Sequence, residues 1–124
     1  MNRIFTNTFE VTEVDAHGRK FDRVSRISAT CDNVNLELTL DINSEIYPLR
    51  TADRFALLLA AGDAPTNDWE YVMHGKVYKY DDSGNAQVAV YMSFGGLLMC
   101  LAGDYRQLQQ IAVGQYLYLM IRKS

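Results

Sequence analysis

Cysteine, histidine, proline and positive charge are all scarce in this chain, and each shortage excludes a class of function. The 124 residues hold two cysteines, Cys31 and Cys100, far apart and with no C-x-x-C. Two thiols cannot supply a four-thiolate zinc site. They are expected as reduced, buried thiols of an intracellular protein, with a single disulfide as the lesser alternative. The two histidines, His17 and His74, lack a ligating partner at i+2 or i+4. His17 sits in a turn signal beside Gly18 and His74 in a strand pattern, places that suit a solvated or paired ring better than a catalytic one. The two prolines, Pro48 and Pro65, leave no proline-rich linker. Twelve Lys and Arg against fifteen Asp and Glu give a net charge of −3. A duplex-binding protein carries a basic surplus, because phosphate contacts dominate its affinity.

The motif search removes more. No stretch reaches the roughly 18 apolar residues of a membrane span, and the first seven residues lack the apolar core of a signal peptide. There is no G-x-G-x-x-G, P-loop or G-x-S-x-G. Asp41, Asn43 and Glu45 alternate, but without the glycine and distal glutamate of a calcium loop. Asp81 and Asp82 read as turn residues that bond their own backbone. The expectation is a soluble intracellular protein with no catalytic residue, cofactor, metal or small-molecule substrate.

What the chain does have is a period of two. Leu36, Leu38, Leu40 and Ile42 alternate with Asn35, Glu37, Thr39 and Asp41, the pattern of a strand with one dry and one wet face. Val88, Val90, Met92 and Phe94 alternate with Ala89, Tyr91 and Ser93. Phe55, Leu57 and Leu59 share a face, as do Tyr71, Met73, Gly75 and Val77, and Leu117, Leu119 and Ile121. Phe9 and Val11 open the first strand, and Val14 falls out of step, which predicts a bulge. Turn signals at 16–19, 31–33, 81–85 and 102–104 separate the runs. Residues 105–110 suit a turn or two of helix. About eight short strands in one domain, 1–124, predict an all-β fold, an antiparallel barrel of eight strands.

Two features stand apart. The first is Gly95-Gly96 inside β-like sequence, read as a sharp bend in the barrel wall or a close backbone approach. With Tyr78, Tyr91, Ser93, Phe94 and Leu97 these glycines form a candidate docking face, where aromatic area is covered by a partner. The second is the basic stretch Arg19, Lys20, Arg23 and Arg26 with Phe21 interleaved. On an OB-like barrel such a strand can track single-stranded nucleic acid, but the favoured reading is a solvated hairpin whose arginines pair with Asp15, Asp22 or a partner chain.

The chain also carries a resemblance along nearly its whole length. Lys20-Phe21-Asp22-Arg23-Val24-Ser25-Arg26-Ile27, Leu38-Thr39-Leu40-Asp41-Ile42-Asn43, Ile46-Tyr47-Pro48, Tyr71-Val72-Met73-His74-Gly75-Lys76-Val77-Tyr78, Val90-Tyr91-Met92-Ser93-Phe94-Gly95-Gly96-Leu97-Leu98-Met99 and Tyr116-Leu117-Tyr118-Leu119-Met120-Ile121-Arg122 stand in that order. The set resembles the small eighth subunit common to the eukaryotic nuclear RNA polymerases I, II and III. The resemblance implies a barrel of two OB-like halves and a non-catalytic, nuclear (including nucleolar) subunit held mainly against the largest polymerase subunit. It also implies weak, non-specific single-stranded DNA binding through residues 15–38. Three departures are visible. The loop at 61–68 is shorter than is usual, His74 stands where a tyrosine is common, and Cys100 stands where an arginine is common. The competing reading is a free single-strand-binding OB module.

Overall fold

The alternation at 36–42 is realised in β3 (Leu36–Asn43), where Leu36, Leu38, Leu40 and Ile42 are all at most 1 % exposed. The computed structural model describes residues 2–19, 21–63 and 68–124. The other strands are β1 (Asn2–Val14), β2 (Val24–Cys31), β4 (Arg54–Ala61), β5 (Tyr71–Gly84), β6 (Gln87–Phe94), β7 (Leu97–Asp104) and β8 (Tyr116–Lys123). A single helical turn, α1 (Tyr105–Leu108), is started by Asp104, whose carboxylate accepts from the Arg106 N–H. All pairings are antiparallel, and the order β1-β2-β3-β7-β6-β5-β8-β4 closes on itself through β4 and β1.

The connectivity repeats. β1, β2 and β3 form a meander and β4 returns to pair with β1; β5, β6 and β7 form a second and β8 returns to pair with β5. Each half is a four-strand Greek key. The keys are joined by β3–β7 and β4–β8. The first strand of each key is bulged, between Val11 and Glu13 in β1 and between Val77 and Lys79 in β5. In each key the link from third to fourth strand supplies two buried plugs. They are Tyr47 and Leu49 in the first, and Leu108 and Ile111 in the second. The predicted two-half barrel is thus visible as topology, although no repeat is legible in the residues.

Inward side chains from all eight strands form one core, with Phe9 and Phe55 stacked at 6.0 Å between ring centroids. Full burial of side chains of this size contributes about 1.5–3 kcal/mol each. A second, small cluster lies on the outer face of β4 and β8, where Leu58, Ala60 and Met120 are covered by Trp69 and Tyr118.

Several expectations are corrected. β1 starts at Asn2 rather than near Phe9, because its polar first half pairs with the apolar β4. The bulge expected from Val14 is present, between Val11 and Glu13. β5 runs on through Asp81 to Gly84, so the turn itself is Asn85-Ala86, while Asp82 Oδ1 accepts from the Gly84 N–H as a residue that bonds its own backbone. Gly95 and Gly96 are neither a wall bend nor a close approach. They are the two central residues of the β6–β7 hairpin, with φ of +63° and +103°. Positive φ at both positions is the requirement of a type I′ turn, and glycine meets it without strain. Close approaches occur elsewhere, as at Gly75, where a Cβ would meet the Ser93 carbonyl oxygen and lie 2.6 Å from Phe94 Cδ1.

Candidate docking surface

Outward residues on neighbouring strands line up as cross-strand rows. One row runs Tyr116, Lys76, Ser93 and Leu98, from β8 across β5 and β6 to β7. It continues onto the first key, where the Leu98 N–H donates to Asp41 Oδ2 (3.0 Å) and Arg26 lies opposite Asp41. The next row places Lys79 opposite Tyr91 and Tyr91 opposite Cys100. The two candidate sites read from the sequence are therefore parts of one outer surface.

Of the predicted docking residues, Tyr78 is 46 % exposed on the β5 bulge, and its ring centroid lies 6.1 Å from that of Tyr91. Tyr91, Ser93 and Leu97 are half-buried, and Gly95 and Gly96 are exposed at the hairpin tip. Phe94 does not belong with them: its ring is 6 % exposed and packed in the core, because position 94 is on the inward phase of β6. Sequence reasoning omitted His74, Lys76, Tyr116 and Tyr118. The His74 ring lies 4.3 Å from that of Tyr118 and 6.3 Å from that of Tyr116. Lys76 Nζ sits 5.5 Å from the Tyr116 ring, and Lys79 Nζ 5.2 Å from the Tyr91 ring. The signal was present in the β8 alternation, which puts Tyr116 and Tyr118 on the phase opposite Leu117 and Leu119.

The basic stretch is a different surface from the one expected. Arg26 donates twice to Asp41, at 2.7 and 3.1 Å. Asp41 is 6 % exposed, a departure from the wet position its alternation predicted. The fork geometry and partial burial make this the strongest kind of ion pair a surface offers. The pairing raises the Arg26 pKa, chiefly through that hydrogen bond. Arg19 lies 3.6 Å from Asp15 and donates to the Asp22 carbonyl and to Ser25 Oγ. Arg23 meets Glu45 at 3.0 Å. Lys20 lies outside the described residues. Beside this stretch an open cavity of about 410 Å³ is lined by Glu13, Asp15, His17, Phe21, Arg26 and Asp41. It holds three carboxylates for one guanidinium, which is the wrong balance for a phosphate track.

The cysteines are free and half-buried. Burial pushes the Cys31 thiol up to about 11 and raises Cys100 as well, so both stay protonated and unreactive at neutral pH. The repulsion that an ionised Cys100 would exert on a Tyr91 phenolate is the chief cause raising Tyr91. Among the described residues no group of three His, Cys, Asp or Glu side chains is placed to hold a metal ion. No described helix is long and apolar enough to cross a membrane.

The described residues form a closed barrel of two Greek keys, with Tyr78, Tyr91, Tyr116 and Tyr118 on the outer face of β5, β6 and β8. Comparison with known proteins gives its family. The model of the RNA polymerase Rpb8 family matches residues 6–64 and 61–123. The chain belongs to that family. It is 43 % identical to the "Probable DNA-directed RNA polymerases I, II, and III subunit RPABC3" of Caenorhabditis briggsae, with 98 % of this chain and 96 % of that protein aligned. Identity is 40 % to the Dictyostelium discoideum "DNA-directed RNA polymerases I, II, and III subunit rpabc3" over 98 % and 97 %. It is 35 % to the Saccharomyces cerevisiae subunit RPABC3 over 98 % and 99 %. The two family matches meet at residues 61–64, in the β4–β5 connection. The Caenorhabditis briggsae alignment needs 142 positions to span this chain of 124.

Proposed function

We propose that this chain is a non-catalytic structural subunit shared by DNA-directed RNA polymerases I, II and III, working in the nucleus, nucleolus included. The observation that carries the reading is end-to-end identity of 35–43 % with proteins named as that common subunit. Within the enzyme the chain docks on the largest subunit through the outer face of β5, β6 and β7. Tyr78, Tyr91, Ser93, Leu97 and the Gly95-Gly96 tip contribute. Paired tyrosines bring large apolar area at low entropy cost, which suits the centre of an interface. The Phe94 backbone belongs to this hairpin, while its ring holds the hairpin to the core.

The carboxylate partners of Arg19, Arg23 and Arg26 disfavour the competing reading, a free single-strand-binding module. The test is affinity purification of the tagged chain from its native cells at moderate salt, followed by mass identification. Recovery of the largest subunits of more than one RNA polymerase is expected. Recovery with nucleic acid alone would sink the proposal. Tyr78→Ala with Tyr91→Ala is expected to reduce that recovery at least fivefold while the thermal midpoint of the free chain stays near wild type. Gly95→Val is a poor probe, since a β-branched residue at φ +63° strains the turn itself.

A further inference from the structure

The lysines of the second key differ from the arginines of the first in what they touch. Lys76 and Lys79 are exposed, and each has a tyrosine ring rather than a carboxylate beneath its ammonium. Arg122, on the same side of β8, lies over the Trp69 ring at 4.9 Å and donates to the Asp68 carbonyl oxygen. The outward positions around Lys76 are Val72 and His74 on β5, Tyr116, Tyr118 and Met120 on β8, and Tyr91 and Ser93 on β6, and none of these is acidic. Lys79 shares its outward phase with Asp81, which lies opposite Ala89. A chain of net charge −3 thus keeps one aromatic face where Lys76 and Lys79 form no ion pair among the described residues. Tyr116 at 61 % and Val72 at 40 % exposure leave apolar area uncovered on the same face.

From this charge balance we infer that the β5–β8 face, with Tyr91 at its edge, receives an acidic segment of the protein partner, its carboxylates meeting Lys76 and Lys79 and its apolar side chains covering Tyr116, Tyr118 and Val72. The inference rests on the docking reading above and extends that interface across β5 onto β8. An ammonium held over an aromatic ring keeps its other N–H donors free for an incoming carboxylate, and the ring excludes water from one side. Complementary charge at an interface steers association and fixes register. A polyanionic strand is the weaker fit, because phosphate tracking requires a longer basic groove than two lysines and one committed arginine supply.

The test uses the full chain, tagged and expressed in cells from which the polymerase is purified. Lys76→Glu with Lys79→Glu is expected to lower recovery of the polymerase's largest subunit at least tenfold, and Lys76→Gln with Lys79→Gln about threefold. Wild-type recovery should fall as the wash rises from about 0.1 to 0.5 M salt, and the glutamine variant should flatten that fall. Arg23→Glu, on the other key, should leave recovery unchanged. Full recovery of the glutamate variant, with loss in the Tyr78→Ala, Tyr91→Ala chain, would overturn the acidic segment and leave the docking reading standing. Full recovery of both variants would overturn both. Loss of oligo(dT) binding in the glutamate variant, with polymerase recovery intact, would assign the face to nucleic acid and overturn the proposal.

Discussion

In the first key Arg19, Arg23 and Arg26 each meet a carboxylate, while in the second Lys76 and Lys79 each lie over a tyrosine. The two keys share connectivity, a bulged first strand and a plugged link, so the barrel's architecture does not require the difference. The first key spends its positive charge on holding its own outer surface together. Asp41 receives Arg26 and the Leu98 N–H, and so ties β2, β3 and β7 into one unit at the seam between the keys. In the second key Arg106 likewise meets Asp104, while Lys76 and Lys79 are left for a partner. A patch of basic residues is therefore informative only after its internal partners are counted.

The largest expected effect separates scaffold from surface within the second key. At Gly75 a single methyl would collide with the Ser93 backbone and the Phe94 ring, neither of which is the free end of a flexible chain. Gly75→Ala should destabilise the domain by about 3 kcal/mol or more, read as a fall in the urea midpoint. A change below about 1 kcal/mol would show that β5 and β6 separate easily, and that the aromatic face is not rigidly presented. Next in size is the seam. Asp41→Asn removes one ionised acceptor that serves three N–H donors and should cost about 2–3 kcal/mol. Arg23→Gln breaks an ion pair whose side chains are mostly exposed and should change stability by about 0–1 kcal/mol. Equal losses at the two sites would contradict the special standing of the seam.

The strands were legible wherever one face is dry. Leu36 to Ile42 and Val88 to Phe94 announce their registers because a one-residue slip would expose every apolar side chain. The double glycine was legible as unusual but was misassigned. β6 and β7 are both apolar and continuous, so no polar cluster marks the turn between them. The fate of the arginines could not be read, because Arg26 and Asp41 are 15 residues apart and meet only through β2–β3 pairing. Likewise Arg54 on β4 pairs with Asp32 at the end of β2, reaching across β1. Tyr78 follows the plain alternation, but the β5 bulge then brings Lys79 onto the outward phase beside it, a shift the local sequence does not mark.

A smaller effect tests a clasp that joins the keys. Tyr47, from the first key's link, donates its hydroxyl to Glu70 Oε1 at 2.6 Å. That oxygen also accepts from the Lys123 N–H at the end of β8. The Tyr47 hydroxyl is the main cause holding Glu70 below its ordinary value of 4.5. A carboxylate with a depressed folded pKa contributes stability that is fully present above its unfolded pKa. That contribution is lost as pH falls through the folded value. The thermal midpoint of wild type should therefore drop more between pH 5 and pH 3 than that of Glu70→Gln. Parallel curves would mean that the clasp acts through shape alone.

The smallest expected change is the one the comparison needs most. Lys76→Met with Lys79→Met keeps each aliphatic stem over its tyrosine and removes only the charge. If the second key holds its cations for a partner, the free domain should lose no more than about 0.5 kcal/mol, because exposed cation–π contacts of this kind are individually weak. Stability near wild type together with reduced recovery of the polymerase would separate presentation from folding on this face. A stability loss approaching that of Asp41→Asn would instead place the lysines among the contacts that hold the barrel. The two keys would then use their positive charge in the same way.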